Sequence, residues 1–366
     1  MIGGLLFAGT VIGAGILGLP YALAQGGFIL GALLLLLGAF FAYLSAAQIG
    51  ALVYEKEPDL PLTSIVESYM GTRMAYLTLG AILFSSYGAL IAYPLAIGQI
   101  GASLLHFPGW WGALLFVVLM TGLLNLNLNE SNQIDAIITI LLVLLLLWVL
   151  QRSIPQVKAE NLFFFQPSRS LKAFGIVIFA FAGHVVIPNV ISYMKVKRDK
   201  GIKVLGWSIA GVGLIYLFFF GVSIGVMGTG VTRVATLGLA RKASLSLAVA
   251  GQVFAVFAII TSFFGLAISL RSTFENQFGL KPRLSLALIV LPVLVIDLLL
   301  AGNPGGAFVK VLSYAGGIGS ALYIGLIPAL IIADRRYQFK VPLGRSGAGA
   351  AIIFYGVAVL YTIFMG

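Results

Sequence analysis

Apolar runs of about 18 residues or more, long enough to cross a bilayer, recur along the whole of this chain. Hydrophobic residues make up 60% of its 366 residues and charged residues only 9%, whereas a soluble domain is about 25% charged. Its mean hydropathy is +1.09. This composition leaves no room for a sizeable soluble domain, and it predicts an all-α polytopic membrane protein.

The apolar runs predict about eleven transmembrane helices in one transmembrane domain that covers residues 1–366. An amphipathic piece is expected at 62–73, an extramembrane loop at 152–172 and a short surface helix within 229–243. The predicted spans, numbered 1 to 11 along the chain, are 1–24, 28–53, 75–104, 110–126, 134–151, 173–194, 203–228, 244–270, 284–301, 307–333 and 348–365.

The net charge of +11 is a property of the loops between these spans. It points to positive cytoplasmic loops and anionic lipid rather than to nucleic acid. With a cytoplasmic N-terminus, the cytoplasmic loops hold fourteen of the 22 Lys and Arg residues. We therefore expect a multi-pass protein of the cell membrane with its N-terminus inside and, for an odd number of spans, its C-terminus outside. No cleavable signal peptide is visible, because the first span begins almost at Met1.

The first span contains four glycines and a proline within the twelve residues Gly9–Pro20. Each glycine in a helix interior costs about 1 kcal/mol relative to alanine, so this stretch is a poor continuous helix. One interpretation is helix packing, because Gly9 and Gly13 form a GxxxG pair. The other is a span that opens at mid-membrane to offer its backbone to a ligand, as in many secondary transporters.

Span 6 repeats the pattern of span 1. Gly15 precedes Pro20 by five positions, and Gly183 precedes Pro188 by five. The two motifs begin five-span halves at about 1–152 and 171–334, with an extra span at 348–365. An odd number of spans per half makes the halves inverted, and interrupted spans at matching positions of such halves indicate a central binding site.

Three motifs resemble those of the amino acid/auxin permease family of the APC superfamily. The run Gly9–Leu17 resembles the first span of bacterial tryptophan and tyrosine permeases, and Gly13–Leu19 that of sodium-coupled neutral amino acid transporters. The sixth-span signature of the family is similar to Phe179-Ala180-Phe181, His184 and Ile187-Pro188. Its tenth span is similar to Gly316-Gly317-Ile318-Gly319 followed by Ile327-Pro328-Ala329-Leu330.

This resemblance implies the LeuT-like fold, with five plus five inverted spans and one more at the C-terminus. It also implies a secondary active amino acid transporter that works as an ion-coupled symporter by alternating access. Gly9 departs from the pattern, because sodium-coupled members carry an asparagine there. No Asp or Glu lies in either broken region, which favours neutral substrates, hydrophobic or aromatic.

An amino acid needs partners for a carboxylate and an ammonium group, and a broken helix offers both. The N–H groups near Gly13, Ala14 and Gly15 are candidates for the carboxylate, because the N-terminal end of a helix is electropositive. Carbonyls near Ala180, Phe181 and Gly183 are candidates for the ammonium group. The candidate walls of the side-chain pocket are Phe181, Tyr93 and Phe264, although each aromatic could equally serve ordinary packing.

His184 is the most distinctive single residue, because an ionisable group at mid-membrane is expensive and can titrate near neutral pH. Two roles stay open for it: proton sensing or gating within the substrate site, and a neutral structural histidine bonded to a backbone carbonyl. Asp297 in span 9 is a second buried acid, and its expected position near a membrane face favours a structural role.

Thr261 and Ser262 in span 8 match the place where proteins of the LeuT-like fold bind sodium with two hydroxyls. The remaining ligands would be the carbonyls of Ala8 and Val11 in span 1. The alternative is that the two hydroxyls bond their own helix backbone. The coupling ion is therefore Na⁺ or H⁺, and the sequence calls for no other cofactor.

Other functional classes fit less well. A membrane enzyme would need a cluster of His, Asp or Glu, which two histidines and scattered acids do not provide. The absence of cysteine rules out disulfides and thiolate metal sites. A channel and an amino acid sensor without transport stay as alternatives. The expected partners are a small amino acid and the lipid bilayer, with no nucleic acid, and the oligomeric state is left open.

Overall fold

The computed structural model describes residues 2–56, 60–105, 108–125, 132–242, 244–300 and 302–365. Over these ranges the chain is helical and contains no β-strand. Nine helical segments there are long and apolar enough to cross a membrane, and a bent pair, Ile2–Val11 with Gly15–Ala24, adds a tenth. The 17-residue apolar helix Gly109–Asn125 stands where span 4 was predicted. The predicted all-α polytopic architecture is confirmed.

Eight spans are single helices whose bounds lie within a few residues of the predictions, except where ends extend into the loops. These are spans 2, 3, 4, 5, 7, 8, 9 and 11, at Phe28–Tyr54, Thr72–Leu105, Gly109–Asn125, Asn132–Ser153, Arg198–Met227, Leu245–Asn276, Pro282–Leu300 and Gly344–Met365. Many of their large apolar residues are exposed; Trp207 and Leu299, for example, are each 78% exposed. Such exposure is expected of a surface that faces lipid.

Span 1 is broken at the predicted glycines. Its first half-helix, Ile2–Val11, and its second, Gly15–Ala24, meet at an angle of 55°. The N–H of Gly13 turns back to the carbonyl of Val11 at 2.9 Å instead of continuing the α-helical ladder. The backbone between the half-helices is therefore released from regular helical bonding.

Span 6 is broken at the matching place. Its first half-helix is Phe174–Ala180, a 3-10 turn follows at His184–Val186, and the second half-helix is Ile187–Met194. Pro188 lies in the first turn of that second half-helix, where its missing N–H costs nothing and its fixed φ suits a helix start.

Span 10 changes helix type twice. An α-helix at Pro304–Tyr314 passes into a π-helix at Ala315–Leu326, and an α-helix resumes at Ile327–Ala333. The glycines of this π-helix let neighbouring spans approach closely. A Cβ on Gly316 would meet the carbonyl oxygen of Gly175 in span 6, and one on Gly319 would lie 2.8 Å from the amide nitrogen of Ser85 in span 3.

The segments between spans follow the predictions with one correction. The amphipathic piece is the helix Leu62–Met70, and residues 152–172 contain short 3-10 turns. The helix within 229–243 is Ala235–Arg241, but its residues 235–239 are all buried. The expectation of a surface helix is therefore wrong for most of its length, because the helix packs against spans 1, 7 and 8. The boundaries of the inverted halves stay a prediction.

Candidate functional site

The two broken spans pack on each other reciprocally. Gly15, the first residue of the second half-helix of span 1, lies against Ala180, the last residue of the first half-helix of span 6. A Cβ on Gly15 would stand 3.0 Å from the Cα of Ala180. Conversely, a Cβ on Gly183 would stand 2.6 Å from Cγ2 of Val11, the last residue of the first half-helix of span 1.

Tyr216 of span 7 joins the two breaks. Its hydroxyl lies 2.8 Å from the carbonyl oxygen of Val11 and 2.9 Å from that of Ala180. Both residues end a half-helix, so both carbonyls belong to the electronegative ends of helices. The side chain of Tyr216 is 0% exposed. Sequence reasoning missed this residue, because it lies in a run of apolar and aromatic residues and both its partners are distant in sequence.

A second group of polar side chains surrounds Gly13. A Cβ there would lie 2.9 Å from Ser262 Oγ of span 8 and 3.7 Å from the hydroxyl oxygen of Tyr93 in span 3. Only a residue without a side chain leaves this space free. Two predicted site residues, Tyr93 and Ser262, therefore come together at the break of span 1.

The structure shows which aromatic ring lies next to Tyr93. Phe263 is 1% exposed and its ring centroid lies 6.3 Å from that of Tyr93. Phe264, the predicted wall residue, is half-buried. Adjacent residues on a helix point about 100° apart, so a choice between neighbours in an apolar span needs the orientation of that helix.

Phe181, a predicted wall residue, packs between neighbouring spans, and its role as a wall stays a prediction. Its ring approaches the glycine faces of span 2 at Gly38 and of span 7 at Gly213. Its centroid lies 5.3 Å from that of Tyr216. These contacts place the ring in the packing between spans 2, 6 and 7, where it supports Tyr216.

The start of the second half-helix of span 1 has the properties expected of a carboxylate site. The first four N–H groups of a helix have no partner within that helix, and they sit at its electropositive end. Here the N–H groups of Ile16 and Leu17 donate to the carbonyls of Gly13 and Ala14. The helix begins at Gly15 with Ala14 as its N-cap, and no side chain caps it. The assignment of the carboxylate to Gly13, Ala14 and Gly15 stays a prediction.

His184 is fully buried and reaches across to span 2. Its Nε2 lies 3.0 Å from the carbonyl oxygen of Ala42, and its ring packs edge-on against Phe7 at 5.9 Å. Since a carbonyl oxygen only accepts, Nε2 is the nitrogen that carries the proton. Ala42 belongs to the unbroken helix of span 2.

The hydrogen bonds of the four predicted sodium ligands do not bring them together around one point. Thr261 Oγ1 lies 3.0 Å from the carbonyl oxygen of Phe257 in its own helix. The Ala8 carbonyl accepts from the amide of Ile12, and the Val11 carbonyl accepts from Gly13 and Tyr216. Of the two hydroxyls, that of Ser262 lies next to Gly13 at the break. The sodium site stays a prediction.

Gly9 of span 1 lies against the side chain of Thr139 of span 5. A Cβ on Gly9 would overlap Oγ1 of Thr139. An asparagine at this position, as in sodium-coupled relatives, would require the Thr139 side chain to change its position. The side chain of Thr139 therefore occupies the space next to Gly9 into which the asparagine of sodium-coupled members would extend.

Asp297 is 5% exposed near the end of span 9. Within the described residues neither of its carboxyl oxygens has a hydrogen-bond partner, and its neighbours include Trp110 and Ala113 of span 4. It is remote in sequence and in contacts from both breaks. Across the same described part of the chain, no three His, Cys, Asp or Glu side chains form a metal-binding group.

Charged residues gather at the helix ends. Arg198, at the start of span 7, donates to the carbonyl oxygen of Lys340 at 2.8 Å and lies 4.0 Å from the carboxylate of Glu55. In the 334–344 segment, hydrogen bonds from Arg336 lower the pKa of the exposed Asp334 carboxyl below its usual value. These contacts tie together the loops that the Lys and Arg distribution assigns to the cytoplasm.

Known proteins resemble the chain over its whole length. A model of the tryptophan/tyrosine permease family matches residues 1–365. A tyrosine-specific transport system of Haemophilus influenzae is 26% identical over 95% of this chain and 92% of that protein. A putative sodium-coupled neutral amino acid transporter of Mus musculus is 28% identical over 48% of this chain and 42% of its own length.

Solved structures share the fold. The crystal structure of MhsT in complex with L-phenylalanine aligns with a TM-score of 0.73 at 15% identity, over 99% of this chain and 98% of that one. A manganese transporter of Eremococcus coleocola gives 0.68 at 17% identity, over 99% of this chain and 85% of that one. These likenesses confirm the LeuT-like fold, with its five plus five inverted spans and one C-terminal span.

The family and the curated relatives are transporters, which confirms that the chain is a membrane permease and not an enzyme. The family match also confirms the resemblance that the glycine motifs of spans 1, 6 and 10 indicated. Amino acid transport is the activity that these relatives have in common by name. The chain belongs to the tryptophan/tyrosine permease family.

Proposed function

We propose that this protein carries neutral amino acids with hydrophobic or aromatic side chains across the cell membrane, as an ion-coupled symporter that works by alternating access. The observation that carries the proposal is the reciprocal packing of the two breaks, Gly15 on Ala180 and Gly183 on Val11. It brings an electropositive helix start and two electronegative helix ends to one place among the spans.

The chemistry of an amino acid fits this place. Its carboxylate would accept from the N–H groups near Gly13, Ala14 and Gly15, and its ammonium group would donate to carbonyls near Ala180. Both charged groups lose water on entering the membrane, and only groups held in position by the protein can replace that water at low cost. Backbone groups at helix ends are held in this way by the helices themselves.

The preference for apolar or aromatic side chains has two supports. The hydroxyl of Tyr93 lies close to Gly13, and the ring of Phe263 lies next to the ring of Tyr93. Neither break contains an acidic residue that would pair with a cationic side chain. The named relatives are a tyrosine-specific transport system and a protein crystallised with L-phenylalanine.

Coupling to sodium and coupling to protons have separate supports. The Ser262 hydroxyl beside Gly13 supplies a hard oxygen at the break, which sodium prefers. The asparagine that sodium-coupled relatives carry at the position of Gly9 is missing, which favours proton coupling. Both kinds of symport rank above uncoupled exchange. The cytoplasmic N-terminus and outside C-terminus also belong to the proposal, on the strength of the Lys and Arg distribution.

The decisive experiment is uptake into proteoliposomes over a panel of amino acids, with sodium and pH gradients applied separately. We expect accumulation of aromatic or large aliphatic amino acids under one of the two gradients. Ligand binding without any flux would instead make the protein a sensor. Current far above the turnover of a carrier would make it a channel, and either result would overturn the proposal.

A further inference from the structure

We propose that Tyr216 is a positioning residue whose hydroxyl takes the place of the substrate's ammonium group on the carbonyls of Val11 and Ala180, so that the carrier can return without substrate and perform net uptake. The inference rests on the proposed function, because it assumes that an ammonium group binds at these carbonyls. It adds a side chain to a site that had been assigned to backbone groups alone.

The geometry puts one donor between two acceptors. The Tyr216 hydroxyl lies 2.8 Å from the carbonyl oxygen of Val11 and 2.9 Å from that of Ala180. Val11 ends the first half-helix of span 1, and Ala180 ends the first half-helix of span 6. The Val11 carbonyl also accepts from the amide of Gly13 at 2.9 Å. The Ala180 carbonyl accepts its hydrogen bond from Tyr216. The residues concerned are nearly or fully buried, with Val11 at 4%, Ala180 at 1% and Tyr216 at 0% exposure.

The energetics make this donor necessary. A carbonyl at a helix C-terminus has no partner in its own helix, and Val11 and Ala180 are too buried in this structure for water to replace one. A phenol hydroxyl carries a single proton, so it satisfies one carbonyl fully or shares its proton between two. An ammonium group carries three donors and a positive charge, so it satisfies both carbonyls and also interacts with their negative helix ends.

The hydroxyl and an ammonium group therefore compete for the same two oxygens, with the ammonium group the stronger donor. When substrate enters, the hydroxyl gives up one carbonyl while the ring of Tyr216 stays packed against Phe181. When substrate leaves, the hydroxyl returns, and the two broken spans keep a hydrogen-bonded link. Without that link, a substrate-free carrier would make every return with an unpartnered Ala180 carbonyl and with a Val11 carbonyl that accepts only from Gly13.

The test compares net uptake with exchange in the full-length protein reconstituted in proteoliposomes. Net uptake uses vesicles that contain no amino acid, with inward sodium and proton gradients. Exchange uses vesicles preloaded with unlabelled substrate. The variant Tyr216→Phe keeps the ring and removes only the hydroxyl. The matched control is Tyr355→Phe, since Tyr355 is 1% exposed and its hydroxyl accepts from Ser45 at 2.9 Å, far from the breaks in its contacts.

We expect Tyr216→Phe to lower net uptake about tenfold relative to exchange, which corresponds to about 1.4 kcal/mol. Exchange itself should persist, because substrate supplies the donors in both directions. The control should keep the wild-type ratio of net uptake to exchange. A merely structural role for Tyr216 would lower both activities together and leave the ratio unchanged, and that result would overturn the inference.

A second measurement covers the case in which Tyr216→Phe does not fold, as judged by monodispersity in detergent. The wild-type protein must then show net uptake into vesicles that contain no amino acid. A wild-type protein that takes up substrate only into preloaded vesicles would overturn the inference. A wild-type protein with neither net uptake nor exchange for any amino acid would refute the proposed function itself, which distinguishes the two failures.

Discussion

Gly15 packs directly on Ala180, and an added Cβ would come within 3.0 Å of the Cα of Ala180. A contact with backbone cannot be relieved by turning a side chain. We therefore expect Gly15→Val to push spans 1 and 6 apart, and to abolish amino acid uptake while the protein is still made and inserted. Uptake of labelled substrate, normalised to protein in the membrane, measures this.

The matched control for Gly15→Val is Gly211→Val in span 7. Gly211 is an exposed helical glycine, and nothing would meet a Cβ there within 4 Å. This control should transport like the wild type. Undiminished uptake by Gly15→Val would show that Gly15 is not where the backbone meets substrate.

His184 gives a prediction about pH. Because His184 is fully buried and its Nε2 donates to the Ala42 carbonyl, a charged imidazole would have to be desolvated, which is costly. We expect His184→Gln, whose amide can also donate, to lower uptake while leaving its pH profile unchanged. Uptake measured at intervals from about pH 5 to 8, the range in which histidine titrates, tests this. A flattened profile would instead identify His184 as a proton sensor.

The hydroxyl pair in span 8 tests the coupling ion. If sodium binds at Thr261 and Ser262, the double variant Thr261→Ala with Ser262→Ala should lose accumulation driven by a sodium gradient, and its apparent affinity for sodium should fall. Thr273→Ala is the control, because Thr273 Oγ1 also bonds a carbonyl of the same helix, at 3.0 Å. Normal accumulation by the double variant would make the pair structural and would direct attention to His184.

Topology is the simplest prediction to check. A reporter fused after Gly366 should be detected outside the cell, and one inserted at Lys200 should be detected inside. The Lys and Arg distribution and the odd number of spans give this result. If both reporters were on the same side, the arrangement of eleven spans would be wrong.

The spans and their breaks were predictable because both leave local signals in the sequence. Hydropathy marks a stretch that must bond its backbone internally, and clustered glycine with proline marks the place where it stops doing so. The bend at Gly13 and the interruption before Ile187 follow from these signals. Ser262 and Tyr93 were named as candidates, but their convergence on Gly13 was seen only in the structure.

The orientation of individual side chains was not predictable. Phe181 turns towards Gly38 and Gly213, because glycines on two neighbouring spans leave room for its ring there. Phe263 rather than Phe264 lies next to Tyr93. Tyr216 has no local signal at all, since its hydroxyl acts on carbonyls 36 and 205 residues away. In an apolar span every face can be buried, so hydropathy does not say which neighbour a ring meets.

The π-helix of span 10 has a consequence for comparing this chain with its relatives. A π-turn closes its hydrogen bond over five residues instead of four, so each one holds an extra residue compared with an α-turn. A relative whose tenth span is α-helical throughout would reach the same end with fewer residues. Its alignment to Ala315–Leu326 then requires a gap inside a membrane-spanning helix. Alignments that forbid such gaps would pair Ile327 and Pro328 with the wrong residues, and transferred site assignments beyond that point would be displaced.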